Sequence, residues 1–183
     1  MTSKLQTKDR ELVITRLFNA PRELVFKAWT DPKLAMRWWG PRWHPATHID
    51  MDVRPGGTWR NRLTSKDDGT ELWHHGVFRE VVPPERLVFT FVWEEEGERG
   101  MENIVTVTFA DEAGKTRLTL RQTPFQSVAE RGGHGEGWNS TLDRLEEQLA
   151  PASHASNGDL LCSGPKGPRS CGLRRPVREG PPR

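Results

Sequence analysis

The chain has no tyrosine, and its first 150 residues have no cysteine. Its two cysteines, Cys162 and Cys171, form a lone C-x8-C pair late in the sequence, with no ligands beside it. A disulfide framework or a cysteine nucleophile is therefore excluded from the first 150 residues, and the late pair is poor material for zinc. Without tyrosine, a common acid of enclosed sites is missing. No apolar run approaches the roughly 20 residues that cross a bilayer. The opening MTSKLQTKDRE lacks the apolar core of a secretory leader, which points to the cytoplasm and away from a membrane. There is no G-x-S-x-G elbow, Walker loop or dinucleotide fingerprint. Gly56-Gly57 follows one strand pattern and opens another, so it is a turn and not a phosphate cradle. The pattern implies no cofactor and no catalytic residue.

What is present suits one globular domain of ordinary size: 183 residues with 8 Trp and 7 Phe, rings that bury much area each. The basic pI misleads about that domain. Residues 151–183 carry six Lys or Arg against two acids, so they are +4. The whole chain is +2, which leaves residues 1–150 at −2. Nucleic-acid binding is thus not expected of the domain. The last 33 residues hold six Pro and five Gly and few large apolar side chains. They read as a disordered basic tail, and residues 1–10 as a flexible lead.

Between these ends the elements follow each other clearly. Residues 11–18 are rich in β-branched and large apolar side chains, as a strand is. Pro21 suits a helix start, and Leu24, Val25, Ala28 and Trp29 form an apolar helical face with Phe26 on its flank. Asp31-Pro32 caps and opens a second short helix, which Trp39-Gly40-Pro41 stops. Six strand patterns follow, at about 48–53, 58–65, 71–82, 87–93, 104–109 and 116–122, with short turns between the last of them. Short turns make consecutive strands antiparallel neighbours. Alternation gives the sheet one apolar and one polar face. Trp138, Leu142, Leu145 and Leu149 form one helical stripe, the natural cover for that apolar face. Gly132, Gly133, Gly135 and Gly137 disfavour regular helix, so a break is expected near residue 133 and a robust helix from about Glu136.

Strand, two short helices, six strands and a long amphipathic helix make the helix-grip order, an α+β fold. The segments FNAPRELVFKAWTDPKLAMRWWGP, DVRPGGTWR, GVFREVVPPERLVFT, TRLTL and GWNSTLDRLEEQL resemble the activator-of-heat-shock-ATPase-homologue family of the START-like (SRPBCC) superfamily, over residues 11–150. The resemblance implies a curved antiparallel sheet of about seven strands wrapped on the C-terminal helix. It also implies an internal cavity for a small hydrophobic or amphipathic ligand. The superfamily hosts several functions, so two other readings stay open: a co-chaperone-like protein-interaction module and a cyclase- or hydratase-type enzyme.

A sheet gripping a helix points to Trp59, Phe89, Phe91, Val105, Val107, Leu118, Leu120, Trp138 and Leu142 as cavity lining, or else as a filled core. Trp38, Trp39 and Trp43 cannot all face inward from one short element. The resemblance implies that the cluster, Trp39 included, shapes the cavity mouth; the alternatives are an anchor of the helix-to-strand crossing and a partner hot spot. Asn61 and His75 are the polar candidates for orienting a ligand. His44 and His48 have metal-pair spacing, but extended chain separates their Cα atoms by roughly 13 Å, too far for one ion. His74 and His75 point to opposite faces of a strand. Asp50, Asp52 and Arg54 share the strand face opposite Ile49, Met51 and Val53, and are expected in solvent. Glu80 reads as structural, a partner of neighbours on the Arg79 side or of Arg86 near the turn. The expected partner is a small apolar molecule; a protein partner remains an alternative, and the oligomeric state is open.

Overall fold

The computed structural model describes residues 7–95 and 100–151. The expected disordered tail lies outside them, save Pro151. Among the described residues a 3-10 turn (Thr7–Arg10) precedes ten strands and α-helices: β1 (Leu12–Phe18), α1 (Arg22–Thr30), α2 (Pro32–Trp38), β2 (Ala46–Met51), β3 (Thr58–Thr64), β4 (Glu71–Val82), β5 (Arg86–Trp93), β6 (Asn103–Glu112), β7 (Lys115–Thr123) and α3 (Val128–Leu149). The strands form a single antiparallel sheet in the order β1-β7-β6-β5-β4-β3-β2. Thus β1 joins the last strand while β2 to β7 meander, and α1 and α2 make the crossover.

Local chemistry accounts for the ends. The Asp31 carboxylate accepts the N–H of Lys33 at 2.9 Å and of Leu34 at 3.4 Å, and so caps α2. Register shifts in β2 and β4 mark bulges, which bend a strand and strengthen its twist. A Cβ on Gly76 would lie 1.8 Å from the Thr90 carbonyl oxygen, so only glycine lets β4 approach β5 there. The result is a curved sheet closed over α3. Trp138, Leu142 and Leu145 are buried against it, with Leu149 partly buried at the end.

Three expectations change. The helix α3 has no break at residue 133; it runs unbroken from Val128. The cause is its start. Ser127 Oγ accepts the Glu130 N–H at 3.0 Å, and the Glu130 carboxylate accepts the Gln126 N–H at 2.9 Å. This capping arrangement, with tertiary contacts from His134, overrides the poor propensity of the glycines. Of the expected flexible lead, residues 1–6 lie outside the described residues, while residues 7–10 form a 3-10 turn whose Arg10 carbonyl accepts the Phe125 N–H at 2.9 Å. Leu24 is exposed, and Phe26 takes its place in the buried face of α1. Among the described residues, no helix is long and apolar enough to cross a membrane.

Candidate functional site

Trp39 follows α2 and is the hub of an aromatic cluster. Its ring lies 5.3–6.3 Å from those of Trp29, Trp38, Trp59, His74 and Trp138. Its indole N–H donates to His74 Nε2 at 3.0 Å. Gly40 then turns the chain at φ +82°, where a Cβ would also strike the His44 carbonyl oxygen at 2.4 Å. The α2–β2 loop is stapled to α3: Arg144 donates to the carbonyls of Arg37, Trp39 and Gly40, and Arg42 pairs with Glu147.

Between this loop, the sheet and the first half of α3 lies a cavity of about 650 Å³. The loop contributes Trp39, Gly40, Pro41, Trp43 and His44. The sheet contributes Leu63, Leu72, His74, Phe91 and Trp93. The helix end contributes Ser127, Ala129, Glu130, Gly133, His134, Gly137, Trp138 and Thr141. Ala129, Gly133, Gly137 and Thr141 are spaced four apart, so they form one small-residue stripe. A Cβ at Gly133 or Gly137 would meet no atom within 4 Å.

Two of the wall's imidazoles, His74 and His134, have defined tautomers. Indole nitrogen only donates, so His74 accepts at Nε2 and carries its proton at Nδ1, which has no partner. Burial, and next the neighbouring His134, push the His74 pKa down to about 3, so the ring is neutral. His134 Nε2 likewise accepts from Trp93 Nε1 at 3.1 Å, and its Nδ1–H donates to Gln122 Oε1 at 3.2 Å. That same oxygen accepts the Trp138 N–H at 2.8 Å, while Gln122 Nε2 donates to Asn103. A fully buried glutamine thus orients two residues of the wall.

Of the residues picked from sequence, Trp39, Phe91 and Trp138 stand on this wall. Val105, Val107, Leu118, Leu120 and Leu142 are fully buried and off it; they fill the core. Trp59, Asn61 and Phe89 surround a separate void of about 10 Å³, room for no more than one water-sized molecule. Asn61 is 1% exposed, and neither its oxygen nor its nitrogen has a partner. His75 is a correction: it faces solvent, beside Glu94 at 3.2 Å, and the inward residue is His74. Strand alternation explains this, because His74 shares its parity with Gly76 and Phe78, the buried side of β4. The same parity was available in the sequence. The helix residues Ala129 to His134 were missed because a break was expected there.

The other charged candidates are outward. Asp50, Asp52 and Arg54 are exposed, with Arg54 on Asp52 at 2.7 Å, and Glu80 pairs with Arg86 at 2.6 Å. His44 lines the cavity, while His48 packs beside Trp73 outside it. Trp38 and Trp39 are buried, whereas Trp43 is 46% exposed at the cavity mouth.

Residues 19–150 match the family described as Activator of Hsp90 ATPase homolog 1-like protein. The chain belongs to that family, within the START-like superfamily. Solved structures agree with its fold. Protein CV1439 from Chromobacterium violaceum is 24% identical with a TM-score of 0.71, over 78% of this chain and 99% of that one. The AHSA1 (SPO3351) protein from Silicibacter pomeroyi is 27% identical with a TM-score of 0.68, over 76% and 96%. A protein from Rhizobium leguminosarum is 30% identical with a TM-score of 0.60, over 76% and 93%. No curated protein matches the sequence.

Proposed function

We propose that the domain binds a small, largely apolar organic molecule in the cavity beneath the α2–β2 loop, without chemistry on it. One observation carries this: about 650 Å³ of aromatic-walled space faces a helix stripe of Ala, Gly, Gly and Thr. The volume falls in the range of sites that enclose small ligands. Apolar ligand surface leaving water contributes about 25 cal/mol per Å². Glycines inside a helix cost stability, and here they leave room that larger side chains would fill.

An enzyme would need a carboxylate–histidine pair on the wall. Glu130 and His134 stand one helical turn apart there, but both His134 nitrogens are engaged, by Trp93 and Gln122. His74 has its Nε2 taken by Trp39. These bonds favour holding over proton transfer. An interaction module would need exposed tryptophans, and of the three in the loop region only Trp43 is substantially exposed. Native mass spectrometry of the protein purified from its own cells tests the proposal. A non-covalent small-molecule adduct is expected in the wild type and is lost in Gly137→Leu, whose side chain projects into the cavity. An adduct-free mass, together with no binding of added aromatic probes, would sink it.

A further inference from the structure

The cavity wall is uneven in charge. Among the described residues that line it there is no Lys or Arg, and Glu130 is its one carboxylate. Two guanidiniums on the loop side are committed elsewhere, Arg144 to three backbone carbonyls and Arg42 to Glu147. His74 is neutral for the reasons above. The remaining wall is mainly Trp39, Trp43, Phe91, Trp93 and Trp138.

Those rings carry a polarity of their own. An aromatic ring is negative on its faces and positive at its edge, most of all at an indole N–H. The indole N–H groups of Trp39, Trp93 and Trp138 all donate into the protein, to His74, His134 and Gln122. At these three rings the strongest donors are thus spent, and a guest there meets π surface and C–H edges. An anionic guest would leave water for a wall with one anion and no cation. A cationic guest gains both the ring faces and the carboxylate.

We infer that the guest is an aromatic amine, its ring held among Trp39, Phe91, Trp93 and Trp138 and its protonated nitrogen at Glu130. Glu130 has the capacity, because a carboxylate accepts several hydrogen bonds and one of its oxygens serves the Gln126 N–H. This inference rests on the cavity being a ligand site, and three probes of one shape separate the two claims. Naphthylmethylamine, naphthalenemethanol and naphthoate share a ring and differ in charge. Each is titrated calorimetrically at neutral pH into the full chain and into Glu130→Gln. The amine is expected to bind at least about tenfold tighter than naphthoate.

In Glu130→Gln the amine should weaken roughly two- to fivefold, while the alcohol is unchanged. Glutamine keeps an acceptor for the Gln126 N–H, so the cap of α3 survives; an unchanged melting curve checks that. Equal binding of amine and naphthoate overturns the charge assignment while leaving the cavity reading intact. So does an equal loss of amine and alcohol in the variant, which would mean that Glu130 only shapes the wall. Binding of none of the three overturns the cavity reading, and this inference with it.

Discussion

Replacing Gly133 and Gly137 together with alanine should stabilise the domain by about 2 kcal/mol. The reasoning is local. Both residues lie inside α3, well past its capped first turn. Glycine inside a helix costs about 1 kcal/mol relative to alanine, through the backbone freedom it loses on folding. A Cβ at either position would meet no atom within 4 Å, so no collision opposes the gain and no new burial adds to it. For a domain of this size each kcal/mol moves the melting temperature by about 3 °C, so the double variant should melt about 6 °C higher. Circular dichroism melts and urea titrations measure it. Gly132→Ala is the control: its Cβ also meets nothing, but it lies off the cavity wall, so it should stabilise by about half as much and leave probe binding alone. Gly135→Ala would bring its Cβ to 3.4 Å from Leu12 Cδ1, an ordinary contact. An unchanged or lowered melting temperature in the Gly133/Gly137 double variant would refute the reasoning, because it would mean that the helix does not run regularly through residue 133.

Two further outcomes follow from the polar groups on and behind the cavity wall. The folded pKa of His74 is depressed to about 3 against about 6.5 in the unfolded chain, so its contribution is complete above pH 6.5 and is lost as pH falls, since the unfolded state binds the proton first. Stability should drop by about 2 kcal/mol between pH 7 and pH 5 in excess of His74→Gln, which lacks the titrating ring; parallel urea midpoints for the two proteins would refute this. Gln122→Leu strands the donors of Trp138 and His134 and the acceptor of Asn103 at once, and should cost roughly 3 kcal/mol or more in urea denaturation; a loss under about 1 kcal/mol would show that the network contributes little.

Most of the fold was legible because its signals are periodic. The alternation of Leu87, Phe89, Phe91 and Trp93 and the stripe of Trp138, Leu142, Leu145 and Leu149 each specify a face, and the structure buries those faces. Asp31 reads as a cap and is one. The site was less legible, for two physical reasons. Burial and cavity lining share one apolar signature, so Val107 and Leu118 could not be told from Phe91 until the third dimension separated them. The glycines of α3 carry a correct propensity signal, since they do weaken a helix, but a capped start and long-range bonds from His134 and Gln122 outweigh it. His75 was a parity error of one residue, which on a strand exchanges solvent for interior.

The division between core and cavity runs across elements rather than between them. On β5, Leu87 and Phe89 lie in the packed interior while Phe91 and Trp93 stand on the cavity wall. On α3 the second half presents Leu142 and Leu145 to the sheet, fully buried, whereas the first half presents Ala129, Gly133 and Gly137 to open space. One strand and one helix are therefore packed at one end and held apart at the other. The packed end supplies the burial that folds the domain. The other end is kept straight by its cap and by the Gln122 network, not by apolar contact along its small stripe. Enlarging that stripe should then strengthen the fold and weaken binding, an opposition that a purely structural glycine run would not produce.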